Sequence, residues 1–194
     1  DEEVQEIMDQ GGRHSDEHIA EHLAFGDELI AKSKEIQAVG AFNAEDRSKA
    51  MDLLGFKKQL VFATHSVVSP FHPSSKKSSK WRYGAARGHN RHMAEFCADD
   101  DRFMGVATIP LDDPEYAVAE ADWCIENGLE AIWVPHRAPI GHSPGHVDLE
   151  PFWARLAEAG LPFVLHVGGA PLQVNKSWGN NGRAATRDWL GGGE

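Results

Sequence analysis

The sequence predicts an α/β fold built on a parallel sheet, on three observations. Short apolar runs recur near residues 60, 104, 132 and 164, each of a length suited to a buried strand. Helix-compatible segments with recognisable start and stop residues separate them. The runs are apolar on both faces, as expected of strands covered on both sides. That is the pattern of a parallel sheet with right-handed crossovers, either doubly wound or closed as a (β/α)8 barrel.

In chain order, residues 2–37 are charged and helix-compatible, with Ile7, Ile19, Leu23, Leu29 and Ile30 as a thin apolar stripe. They read as an N-terminal helical region of the same domain. Asn43 can cap a helix through Met51-Asp52-Leu53-Leu54 to Gly55, and Gln59-Leu60-Val61-Phe62-Ala63-Thr64 follows as a strand. A Ser- and Pro-containing loop leads to a second helix over about 85–98, then through Asp99-Asp100-Asp101 to the strand 103–109, closed by Pro110. A third helix begins near Asp113-Pro114-Glu115, with Pro in its first turn, and stops at Asn127-Gly128. After the strand 130–134, a Gly/Pro/His loop over 135–146 precedes a short helix, 149–159, which Gly160 ends before the strand 162–167.

With 194 residues, 41% of them hydrophobic, the chain reads as one domain over 1–194. Lys and Arg number 19 against 30 Asp and Glu, a formal charge of −11, which disfavours nucleic acid or an anionic membrane surface as partner. The basic cluster from Lys76 to Arg82 lies in a Ser-rich stretch and reads as a solvated loop. Cys97 and Cys124 lack the spacing of a disulfide framework or a zinc knuckle, so a reducing, cytoplasmic setting is expected. No apolar run approaches the roughly 20 residues that span a bilayer.

In either parallel architecture the active site lies at the C-terminal ends of the strands. Those ends are Thr64-His65-Ser66, Pro110-Leu111, Pro135-His136-Arg137 and His166-Val167-Gly168-Gly169, and three of the four carry a histidine, the usual proton shuttle and commonest metal ligand. His166, directly after Phe163-Val164-Leu165 and before two glycines, is the leading metal-ligand candidate; the blander reading is a core histidine bonded to a backbone carbonyl. His65 and His136 are candidates at the same edge, and Arg137 could grip a substrate carboxylate through two parallel bonds or form an ordinary surface ion pair.

Other motifs carry less. His18-Ile19-Ala20-Glu21-His22 fits a zinc-peptidase spacing, extended by His14, but sits in a polar segment that reads as an exposed helix. Gly141-His142-Ser143-Pro144-Gly145 matches the nucleophile-elbow pattern, yet Pro144 has no N–H for an oxyanion hole. His89 and His92 read as helix-surface or packing residues. Trp178 and Trp189 could serve a substrate loop, an interface or ordinary packing.

The stretch from Asn90 to Gly169 resembles the amidohydrolase-related family that includes aminocarboxymuconate-semialdehyde decarboxylase and the resorcylate-type decarboxylases. Asn90, Asp101-Arg102-Phe103-Met104-Gly105-Val106-Ala107 with Pro110, and Glu126-Asn127-Gly128-Leu129 carry the resemblance. So do Asp148-Leu149-Glu150-Pro151-Phe152-Trp153 and Gly160-Leu161-Pro162-Phe163-Val164-Leu165-His166, with weaker agreement at Met51–Gly55 and Gln59–Phe62. The resemblance implies a (β/α)8 TIM barrel of the metal-dependent hydrolase type, of which this chain supplies about four βα units. It also implies one divalent metal, zinc or manganese, with His166 as a ligand. The family's His-x-His pair on the first strand has no counterpart here, which implies further ligands outside this chain.

The function so implied is a metal-dependent hydrolase or decarboxylase of a small, aromatic carboxylic acid, with Arg137, His136 and His65 as substrate-binding candidates. The partner is then a small molecule, with room for a homo-oligomer. The rival reading is a non-catalytic binding or assembly protein that keeps the barrel scaffold without a complete metal site.

Overall fold

The computed structural model describes residues 40, 44–62, 77–135, 138–165 and 176–184. Helix α1 (Ala44–Leu54) leads to β1 (Gln59–Val61), α2 (Ser79–Cys97) to β2 (Phe103–Thr108) and α3 (Pro114–Glu126) to β3 (Ala131–Trp133). A 3-10 turn (Val147–Leu149) then opens α4 (Glu150–Ala159), which leads to β4 (Phe163–Val164), and a second 3-10 turn spans Lys176–Gly179. The four strands lie side by side in chain order, all parallel. This is the arrangement of successive units of a TIM-barrel-type fold.

Register divides the strand residues between two faces. Gln59 pairs with Phe103 and Val61 with Gly105, while Ala107 pairs with Ile132 and Ile132 with Phe163. This face meets the helices, where Val61, Phe103, Ala107 and Ile132 pack with Met93, Ala117, Ala121, Cys124, Phe152 and Leu156 in the larger core. Gly105 is the point of closest approach: a Cβ there would fall 2.7 Å from Leu129 Cδ2 and 3.1 Å from Met93 Cγ. On the opposite face Val106, Ala131 and Trp133 form a second buried cluster with Ala86, flanked by Phe62 and Val164.

Caps set the helix bounds. Ser78 accepts from Trp81 N at the start of α2, and Asp113 accepts from Tyr116 N at the start of α3, with Pro in that helix's first turn. Gly160 closes α4 in the left-handed conformation at φ 64°, as its missing Cβ permits.

Three expectations are corrected. Helix α2 begins at Ser79, not near 85, so the end of the basic cluster is helix rather than solvated loop, and Arg82 is buried. Its burial is tolerable because a carboxylate meets it, as described below. Among the described residues the last strand spans Phe163–Val164, with Pro162 and Leu165 outside it, and Phe163 and Leu165 are 53% and 59% exposed rather than buried. No described strand lies beyond β4 to cover them. The expected N-terminal helical region lies outside the described residues, as do His14, His18 and His22. No described helix is long and apolar enough to cross a membrane.

Candidate functional site at the C-terminal edge of the sheet

At the strand ends, Thr108, Ile109, Pro110 and Leu111 after β2 and Val134 and Pro135 after β3 are buried. His65, His136, Arg137 and His166 all lie outside the described residues, so the structure neither joins nor separates them. The described residues form the buried frame of the strand ends.

Helix α2 shapes that frame. Beyond Val61, the edge of β2 that faced β1 is taken up by side chains of α2. Asn90 Oδ1 accepts from Thr108 N at 2.8 Å, and Asn90 Nδ2 donates to Thr108 O at 3.1 Å. A carboxamide carries one acceptor and two donors, so it reproduces the pairing that another strand's peptide group would offer. The second donor of Nδ2 goes to Glu120 Oε1 at 2.9 Å. One residue earlier on α2, His89 Nε2 meets Val106 O at 3.4 Å, and burial pushes this imidazole below its ordinary pKa. A neutral ring donating Nε2–H to the carbonyl satisfies both facts.

Glu120 is itself buried, 3% exposed in its side chain, and ion pairs with Arg91 and, at 3.9 Å, with Arg87. The Arg91 guanidinium also lies 3.7 Å from the centre of the Trp123 ring. Glu120 thereby fixes Asn90, and Asn90 fixes the last peptide of β2. None of this was identified as a site from sequence. The available signal was the spacing of Arg82, Ala86, Asn90 and Met93, which puts the buried stripe of α2 on one side.

A second group of contacts ties the start of α2 to two loops at the same edge. Asp112, in the loop after β2, accepts from Arg82 Nη1 at 2.5 Å through Oδ2 and from Ile140 N at 2.9 Å through Oδ1. Arg82 lies in the first turn of α2 and Ile140 in the loop after β3. Both charged side chains are buried, 2% and 6% exposed. The Tyr83 and Tyr116 rings stack beside them with centroids 4.4 Å apart, and Tyr116 Oη donates to Tyr83 O. Burial, reinforced by the Asp112 charge, pushes the Tyr83 phenol up to about 12, so it stays protonated at neutral pH.

Farther along, Ser143 N donates to Asn180 O at 2.8 Å and Val147 N to Asn181 O at 3.0 Å, fastening residues 141–147 to 180–182. Ser143 is buried in this loop, away from any strand-to-helix elbow, in keeping with the exclusion of a nucleophilic serine. Gly182 allows the approach, since a Cβ there would fall 2.6 Å from His146 Nε2. The His142 and His146 rings are 5.2 Å apart. Among the described residues, three buried side-chain nitrogens have no hydrogen-bond partner: Arg82 Nε, Trp133 Nε1 and His142 Nε2.

The amidohydrolase family model matches residues 20–189. Among curated proteins, the chain is 32% identical over 152 residues to the gamma-resorcylate decarboxylase of Rhodococcus jostii (strain RHA1), covering 73% of this chain and 43% of that protein. It is 31% identical over 129 residues to the gamma-resorcylate decarboxylase of Rhizobium radiobacter, covering 63% of this chain and 38% of that one. It is 30% identical over 114 residues to the decarboxylase orsB of Emericella nidulans, covering 50% and 34%. The chain thus spans well under half the length of these relatives. Among solved structures, an amidohydrolase from Mycobacterium avium subsp. paratuberculosis K-10 superposes with a TM-score of 0.57 at 23% identity, over 64% of this chain and 34% of that one. That likeness concerns the fold. With the family model matching most of its length, this chain belongs to the amidohydrolase family.

Proposed function

We propose that the protein carrying this chain is a metal-dependent decarboxylase of a small aromatic carboxylic acid. The observation that carries the reading is the similarity, at 30–32% identity, to relatives named as decarboxylases. In such a reaction the bond from ring carbon to carboxyl carbon breaks, its electron pair stays on the ring carbon and takes up a proton, and CO2 leaves. The protein must hold the carboxylate, deliver the proton at carbon and keep bulk water away.

We assign His166 as a metal ligand, with zinc or manganese as the ion, and Arg137, His136 and His65 as substrate-binding residues. The support for His166 is positional. His166 stands two residues after Val164, the last residue of β4, and strand ends of such a sheet are where barrels carry their active-site residues. Among the described residues no group of three or more His, Cys, Asp or Glu is arranged to hold a metal ion, so the proposed ligand set begins with residues outside that group. The acidic composition, −11 formally, suits a small-molecule partner rather than nucleic acid or membrane, and a cytoplasmic site of action is part of the proposal.

The test is metal content per chain together with CO2 release from gamma-resorcylate, for the full-length protein and for His166→Ala. About one zinc or manganese per chain, lost together with CO2 release on substitution, is the expected result. A parent that binds metal but releases no CO2 would favour hydrolysis. A parent with neither would favour a non-catalytic barrel.

A further inference from the structure

The Arg82–Asp112 contact leaves part of the guanidinium unused. Asp112 engages Nη1 only, and Nε is buried with no hydrogen-bond partner. Among the described residues Nη2 has none either. The Nε–H and one Nη2–H point in parallel along a single edge, the pair of donors that matches the two oxygens of a carboxylate. Holding the Nε–H out of water without an acceptor is costly, so a site that retains it gains by receiving one.

The surroundings favour an anion. Arg82 is in the first turn of a helix of 19 residues whose first turn has no acidic side chain, and helix N-termini attract negative charge. Asp112 and Ile140 place the guanidinium beside the loops that follow β2 and β3, the edge at which barrels of this kind bind substrate. Asp112 grips Nη1 while its other oxygen is occupied by Ile140 N, so the guanidinium is held in one orientation rather than free to turn.

We propose that the Nε/Nη2 edge of Arg82 receives the carboxylate of the acid ligand, and that Asp112 is the positioning residue holding Arg82 for it. The proposal rests on the aromatic-acid reading given above and adds the group that recognises the acid.

The experiment measures binding of gamma-resorcylate, and of resorcinol, the same ring without the carboxylate, to the full-length protein and to R82K. Lysine keeps the charge beside Asp112 but lacks the two-donor edge. The expected result is a Kd for the acid raised about tenfold or more, with resorcinol binding unchanged. Equal acid affinity in R82K and parent would overturn the assignment of Arg82 while leaving the acid reading intact. An equal loss for both compounds would also overturn it, by showing general damage to the pocket. A parent that binds neither compound would overturn the acid reading and this proposal with it. Should R82K fail to fold, the double variant R82Q/D112N removes both charges together and leaves no unpaired ion behind; the same two outcomes then decide.

Discussion

Asn90 has a larger structural role than its size suggests, because its carboxamide serves three partners that are otherwise sealed from water: Thr108 N, Thr108 O and Glu120 Oε1. Asn90→Asp preserves shape but removes both Nδ2 bonds and sets a second carboxylate against Glu120. We expect it to cost about 3 kcal/mol or more, as much as Asn90→Ala, read from urea unfolding midpoints; a near-neutral Asp variant would refute the role given to Nδ2. At the other end of β2, Asp100 accepts from Arg102 and from Ser48 Oγ at 2.6 Å, and these bonds hold its carboxyl well below the usual range. The folded pKa is therefore depressed relative to about 3.9 in the unfolded chain. The contribution is fully present above the unfolded value and lost as pH falls from there toward the folded one. Asp100→Asn should destabilise at pH 7 and matter progressively less below about pH 4, a convergence visible in denaturation curves collected across that window. Sequence pointed to Asn90 through resemblance, without a reason. It missed Arg82, because a guanidinium among lysines and serines looks solvated until the Asp112 that faces it, 30 residues away, is brought alongside.

Among the elements, α3 was the most legible, since Asp113, Pro114 and Asn127-Gly128 are local signals that act through the backbone alone. Asp113→Ala removes the acceptor of Tyr116 N and should lower stability by about 1 kcal/mol, measured by thermal or urea unfolding; no change would mean that Pro114 and packing suffice to start the helix. The start of α2 was not legible for a related reason. Ser78 caps it, but serines are frequent in that stretch and none of them announces which one is the cap. The exposure of β4 was not legible, because an apolar run reads as buried whether or not a neighbour covers it; Phe163 is largely exposed, its ring meeting that of Trp153 with centres 5.3 Å apart.

For the whole molecule, the parallel direction of the four strands followed from helix and strand alternation, whereas their sequential order, as in a barrel rather than a doubly wound sheet, was implied by the family resemblance. The division into a helix-facing layer and an opposite layer could not be read from strands that are apolar on both sides; it required the register. The site is the least legible level, since its described parts come from loops and helix ends far apart in sequence that meet only when the sheet has formed. The grip of Asn90 on Thr108 has a consequence for how such a site changes over generations. Asn90 holds the peptide of residue 108 through its N–H and C=O, so the strand stays anchored with any residue there except proline, which has no N–H to offer. Exchange among small side chains at this buried strand end therefore leaves both backbone bonds to Asn90 in place and the sheet's end anchored.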